Sequence, residues 1–111
     1  MTEAGQITLE DFKKIKLKIA EIQEVALHPN ADKLYVLKIK VGEVQKTVVA
    51  GIRPFYGEQE LKGKQIVIVD NLEPAVIRGV ESQGMILAAS KGDVLSVLVP
   101  ERPVPDGASI R

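Results

Sequence analysis

Any reaction run by this chain would have to pass through a short roster of side chains. Gly57 and Gly63-Lys64 have the outline of a phosphate-cradling loop, in which backbone N–H groups wrap the phosphates and a following hydroxyl ligates magnesium. Five residues separate these glycines where the motif needs four, and Gln65 stands where Ser or Thr is required. Ser82 lies between Gly79 and Gly84, but Gly79-Val80-Glu81-Ser82-Gln83-Gly84 lacks the G-x-S-x-G spacing of a nucleophile elbow. A hydroxyl nucleophile also needs a base, and His28 is the single histidine. It precedes Pro29 in turn-forming sequence, where its plain reading is a loop residue with a locally satisfied ring. The chain has no cysteine, which removes disulfides, thiol nucleophiles and thiolate metal sites. One histidine builds no His-based zinc cluster. Carboxylates abound, yet spacing alone brings no two of them to one substrate. These residue types disfavour an enzyme and imply neither cofactor nor metal.

What remains is electrostatic. The 111 residues carry 15 Lys/Arg and 15 Asp/Glu, so the net charge is zero. The zero hides a division: residues 13–64 hold 11 basic and 6 acidic residues, leaving +5, and the flanks hold the compensating −5. A local basic field steers a polyanion even when the whole molecule is neutral. The plainer reading is that lysines alternating with apolar residues form the wet side of a sheet. Binders of single-stranded nucleic acid stack bases on aromatic rings. Aromatic residues are only 4% here, namely Phe12, Tyr35, Phe55 and Tyr56, and Tyr35 shares the apolar parity of its strand. A folded RNA read through backbone position, groove shape and 2′-hydroxyls needs fewer rings and more spaced cations.

These groups must be held by elements that read mostly as strand. Thr8 is an N-cap candidate for a short helix over residues 9–14, with Glu10 and Asp11 in its first turn. From Lys16 the apolar residues alternate with period two until a slip at Ile19-Ala20, which predicts a bulge in a long, bent first strand. His28-Pro29-Asn30-Ala31-Asp32-Lys33 is turn chemistry. Tyr35, Leu37, Ile39 and Val41 share a face, and the short Gly42-Glu43 link to residues 44–50 predicts a hairpin. Residues 53–64 read as a loop with one helical turn, and Ile66-Val67-Ile68-Val69 as a strand buried on both faces. Residues 84–89 and 95–99 are further strands. The tail, with Pro100, Pro103 and Pro105, is too proline-rich for a central strand. With 45% hydrophobic residues there is enough for one core. The expectation is an all-β single domain over 1–111 with little helix: a five-stranded OB-fold Greek-key barrel with a short N-terminal helical segment and a C-terminal extension. No apolar run is long enough to span a membrane, and MTEAGQITLEDF lacks the pattern of a secretory leader, so a soluble, cytoplasmic chain is expected.

Particular segments carry a resemblance. Residues 11–22 (Asp-Phe-Lys-Lys-Ile-Lys-Leu-Lys-Ile-Ala-Glu-Ile) and His28-Pro29-Asn30-Ala31-Asp32-Lys33-Leu34 resemble the structure-specific tRNA-binding OB domain. So do Ala50-Gly51-Ile52, Asn71-Leu72-Glu73-Pro74 and especially residues 77–89, beginning Ile77-Arg78-Gly79-Val80-Glu81-Ser82-Gln83-Gly84-Met85. That family includes stand-alone tRNA-binding proteins and the C-terminal domain or beta subunit of methionyl-tRNA synthetase. The resemblance runs from about residue 8 to the end. It implies a non-catalytic module that grips the outer corner, or elbow, of folded tRNA, alone or beside the catalytic chain of a methionyl-tRNA synthetase. The matching tRNA-binding positions are Lys18, Asn30, Lys33, Arg78, Ser82, Gln83 and Met85, with Lys38, Lys46 and Arg53 added from the basic stretch. Lys18 stands where Arg is common, keeping the charge and losing the planar fork. Several of these have a plain structural reading: Asn30 as a turn former, Ser82 as a brace, Met85 as core. Glu73, Ala75 and Val76 replace the basic residues that relatives often carry, which lowers the expected phosphate attraction.

The tail fits the same resemblance. Residues from about 91 to 111 resemble an extension that pairs two copies, with Val97, Val99, Val104 and Ile110 as the dimerisation positions and a homodimer as the expected state. The alternative function is a protein-interaction or dimerisation module, with weak RNA binding or a chaperone-like role.

Overall fold

The computed structural model describes residues 5–111. The chain is mostly β, a small OB-like barrel with little helix. Helix α1 (Leu9–Lys13) starts where expected, with the Thr8 hydroxyl accepting from Asp11 N at 3.1 Å. Strands β1 (Leu17–Leu27), β2 (Tyr35–Val41) and β3 (Val44–Ala50) form an antiparallel meander. The one-turn helix α2 (Glu58–Leu61) drives Leu61 into the core, and β4 (Gln65–Val69) then pairs with the first half of β1. Two short strands, β5 (Ala75–Ile77) and β6 (Val80–Ser82), form a hairpin of their own. Strand β7 (Met85–Ile86) pairs with β4, and β8 (Ala88–Lys91) with β9 (Val94–Val97) makes a second separate hairpin. Strand β10 (Ser109–Ile110) returns to the start of β1. The ladder order β3-β2-β1-β4-β7 gives the five-strand path expected of the barrel.

The seam between β3 and β7 is closed largely by side chains. Gln83 N donates to Thr47 O at 2.8 Å, and its side-chain Oε1 accepts from Thr47 N at 2.9 Å. The Ser82 hydroxyl accepts from Val49 N at 2.9 Å and donates to Gly84 O at 3.0 Å. A Cβ on Gly84 would sit 3.0 Å from Val69 O of β4, so a larger residue would push the closing segment off β4 by a few tenths of an ångström. The core draws on every strand of the path: Ala20 and Ile22, Leu37 and Ile39, Val48 and Ala50, Ile66 and Ile68, with half-buried Ile86 of β7 packed against them, Ile52 and Leu61 from the β3–β4 connection, and Val97 from β9.

Two local expectations change. The β1 irregularity lies between Ile22 and Glu24, with Gln23 as the extra residue, and not at Ile19-Ala20. Ile19 and Ala20 are both buried, so two consecutive residues pointing to opposite faces of a regular strand are both covered. The returning tail pairs with the edge of β1 at this place: Ile19 N donates to Ala108 O at 2.9 Å and Ile19 O accepts from Gly107 N at 2.7 Å. The predicted single strand over 84–89 is split between β7 and β8, and β9 begins at Val94.

The tail is strapped to the barrel. Gln65 Oε1 accepts from Val104 N and its Nε2 donates to Val104 O, as a neighbouring strand would. Gly107, at φ +87°, passes so close to the β2–β3 turn that an added Cβ would lie 2.9 Å from Gly42 N and Cα. Gly92, at φ +61° in the β8–β9 turn, has nothing within 4 Å of that position. Gly92→Ala therefore carries only the left-handed backbone penalty of about 1–2 kcal/mol. Gly107→Ala adds a backbone collision and should lower the urea midpoint by clearly more than Gly92→Ala; equal midpoints contradict the strap.

Candidate nucleic-acid interface

At one end of the barrel, residues 28–34 connect β1 to β2. The turn is tied internally by His28 N to Leu34 O (3.2 Å) and Leu34 N to Ala31 O (3.4 Å). His28 is only 4% exposed, and its ring is bonded at both nitrogens. Nδ1 accepts from Asn30 N at 3.0 Å, so the proton sits on Nε2, which donates to Ile77 O at 3.0 Å. Asn30 Nδ2 donates to Arg78 O at 3.2 Å, and Arg53 Nη1 to Ala31 O at 3.4 Å. Three segments distant in sequence thereby meet, bringing Asn30, Lys33, Arg53 and Arg78 to one corner. Asn30, Lys33 and Arg78 are exposed and Arg53 is half-buried. Among the described residues, no carboxylate lies within ion-pair distance of Lys33, Arg53 or Arg78. The corner offers uncompensated guanidinium and ammonium groups, suited to phosphate oxygens.

Arg78 and Gly79 form the β5–β6 turn with φ of +53° and +89°. Two successive positive φ values are the signature of a type I′ hairpin, which favours Asn-Gly. Arg78 is the only non-glycine residue with positive φ among the described residues. This hairpin escaped the sequence reading, although an X-Gly pair between Ala75-Val76-Ile77 and Val80-Glu81-Ser82 was the available signal.

The other predicted contact residues lie elsewhere. Lys18, Lys46 and Asp70 continue the inward-facing registers of Ala20 and Ile22, Val48 and Ala50, and Ile66 and Ile68. They meet at the far end of the barrel. Lys46 Nζ is 2.6 Å from Asp70 Oδ1 and Lys18 Nζ is 3.5 Å from Asp70 Oδ2. One half-buried carboxylate is shared by two ammonium groups. Ten residues of strand separate Lys18 from His28, roughly 30 Å at about 3.3 Å per residue. Lys38 lies on the outer sheet face, 3.8 Å from Glu24 Oε2 with both side chains well exposed, a pair of little energetic weight. Ser82 is 3% exposed and its hydroxyl is used in the seam, so it presents no free group to a ligand. Gln83 spends its backbone N–H and side-chain Oε1 on Thr47, which leaves its half-buried Nε2 as a donor. Met85 is on the surface, 47% exposed, rather than in the core.

The three tail valines and the isoleucine also divide. Val97 belongs to the chain's own core at 4% exposure, so it faces inward and not toward a second copy. Val104 is held by Gln65, and Ile110 pairs with Leu17 in β1. Val99 is exposed, and Val94 and Leu98 near it are exposed as well.

The barrel and its cationic corner are those of a nucleic-acid-binding module, and the relatives specify which kind. The family described as "Putative tRNA binding domain" matches residues 17–109, and the chain belongs to that family. It is 47% identical over 109 residues to a methionine–tRNA ligase of Pyrococcus horikoshii, covering 98% of this chain and 15% of that protein. A Pyrococcus furiosus methionine–tRNA ligase is 50% identical over 105 residues, covering 95% of this chain and 14% of that one. The chain thus spans about one-seventh of the length of these curated relatives. Among solved structures it is similar to a MetRS-related protein from Pyrococcus horikoshii (TM-score 0.89, 30% identity, 96% of this chain and 98% of that one). It is also similar to the CsaA chaperone protein from Picrophilus torridus (TM-score 0.87, 35% identity, 96% of this chain and 100% of that one). No helix among the described residues is long and apolar enough to cross a membrane.

The seam yields a prediction. Ser82→Ala strands the buried Val49 N–H and should cost about 1–3 kcal/mol in urea unfolding. A change below about 0.5 kcal/mol contradicts the closure described here.

Proposed function

We propose that this chain binds folded tRNA at the corner formed by residues 28–34, Arg53 and the β5–β6 turn, and catalyses no reaction of its own. The single observation that carries the reading is the grouping of Lys33, Arg53 and Arg78 without a carboxylate partner. Asn30 adds an exposed amide at the same place. The elbow of the tRNA is the surface such a corner fits, because a bent backbone brings separated phosphates toward one cationic group while the bases stay paired. The shortage of exposed rings argues in the same direction: Phe55 is the one exposed aromatic residue among those described. The role follows as an affinity module serving a methionyl-tRNA synthetase catalytic chain in the cytoplasm. Lys18 and Lys46, already sharing Asp70, and Lys38, beside Glu24, contribute less.

The proposal includes a homodimer joined through Val94, Leu98 and Val99, an apolar strip on the exposed hairpin and the start of the tail. The same strip, together with the likeness to a chaperone protein, favours a second reading in which the chain captures apolar polypeptide segments.

Two measurements test this. In a tRNA titration at two or more salt concentrations, Lys33→Ala with Arg78→Ala should weaken binding by about 10-fold or more and reduce the slope of log K against log salt by about 1–2. Lys18→Ala with Lys46→Ala should change it less. No preference for folded tRNA over a random single strand in the unaltered protein rejects the reading. Light scattering at micromolar concentration should give a dimer mass, and Val99→Asp should shift it toward monomer; a monomer mass for the unaltered chain removes the dimer.

A further inference from the structure

The β5–β6 hairpin is not laddered to the main sheet. Its base is anchored by the Ser82 and Gln83 bonds to β3. Its tip, which carries Arg78, is tethered by two side-chain bonds from the 28–34 connection: His28 Nε2 to Ile77 O and Asn30 Nδ2 to Arg78 O. Arg78 also holds a positive φ, a backbone state that a bulky residue keeps only when its surroundings enforce it. His28 and Ser82 are the buried polar residues among those described, and the pair holds the two ends of this hairpin.

We propose that His28 is a positioning residue for tRNA recognition, its ring acting as a cross-link that fixes the backbone bearing Arg78 relative to the turn bearing Lys33. The inference rests on the tRNA reading above and adds the source of its shape selectivity. A folded RNA offers phosphates at fixed separations, so cations rooted on two segments tied together discriminate where cations on independently moving segments attract any polyanion. The ring serves because its two nitrogens have different tasks. Nδ1 accepts from Asn30 N and shapes the turn, while Nε2–H reaches across to Ile77 O.

The two tasks can be separated by substitution. In His28→Asn the amide oxygen stands in for Nδ1 and retains the turn, but the side chain is too short to reach Ile77. In His28→Gln the terminal amide stands in for Nε2–H and restores the reach. His28→Asn should weaken folded-tRNA binding at least fivefold and leave single-strand binding nearly unchanged; His28→Gln should recover most of the loss. Because the effect passes through Arg78, His28→Asn and Arg78→Ala should be strongly non-additive in a double-mutant cycle. If circular dichroism shows that His28→Asn does not fold, the cycle is run with Asn30→Ala, which removes the second tether together with an exposed amide of the corner, so the coupling to Arg78→Ala is read and not the loss itself. Additive losses, equal losses from the Asn and Gln variants, or an unchanged preference in His28→Asn while Arg78→Ala alone weakens binding, each overturn the positioning role. Absence of any folded-tRNA preference in the unaltered protein instead overturns the underlying reading, so the two failures are distinct.

Discussion

Closure of the barrel without a full final ladder is the constraint on which the other features depend. β3 would be an edge strand, exposing a row of unpaired backbone groups. Strand β7 is two residues long and cannot cover it. Ser82 and Gln83 answer that deficit with a hydroxyl and an amide that imitate backbone partners, and Gly84 lets the seam close without a side chain between β3 and β4. Because the closing segment is the end of the β5–β6 hairpin, the same bonds that complete the barrel also fix the root of the arm bearing Arg78. Stability and the placement of a candidate contact residue are thus linked by a few side chains.

The arrangement of charge shows how a neutral molecule can hold one attractive face. Lys38 is countered by Glu24 on the sheet face, and Lys18 and Lys46 by Asp70 at the barrel end. Lys33, Arg53 and Arg78 at the loop corner have no carboxylate within ion-pair distance among the described residues. Attraction of a polyanion then concentrates where the loops meet, within a screening distance of about 8–10 Å, instead of spreading over the sheet.

Much of the fold was legible because it rests on period-two alternation and turn chemistry. Tyr35 to Val41, the Gly42-Glu43 link and the Thr8 cap read directly as the hairpin and the helix start. The first strand misled at Ile19-Ala20, since two consecutive apolar residues report either a bulge or a strand covered on both sides, and nothing local tells the two apart. The same ambiguity hid the fate of Lys18: with Ile19 also apolar, nothing local revealed that Lys18 shares the inward face with Ala20 and Ile22. Ser82 and His28 were seen as polar residues in turn-rich segments. Their bonding partners, Val49 and Ile77, lie 33 and 49 residues off, and no local pattern announces such pairs. Asn30, Lys33, Arg53 and Arg78 stood among ten expected contact positions with nothing in the sequence to group them; the topology brings these four to one corner.

The strap that carries residues 104–110 back along β1 has a consequence for portability. Asn71 clasps the segment after α1 through Lys16 N and Lys14 O, and β10 pairs with Leu17 and Lys18, so the segment after α1 and the final strand both sit at the start of β1. Polypeptide spliced after β10 would depart from that end of β1, opposite the end that leads into the loop corner. Such a layout makes the barrel a cassette that can be appended to a much longer chain, or function beside one, with the same surface turned outward.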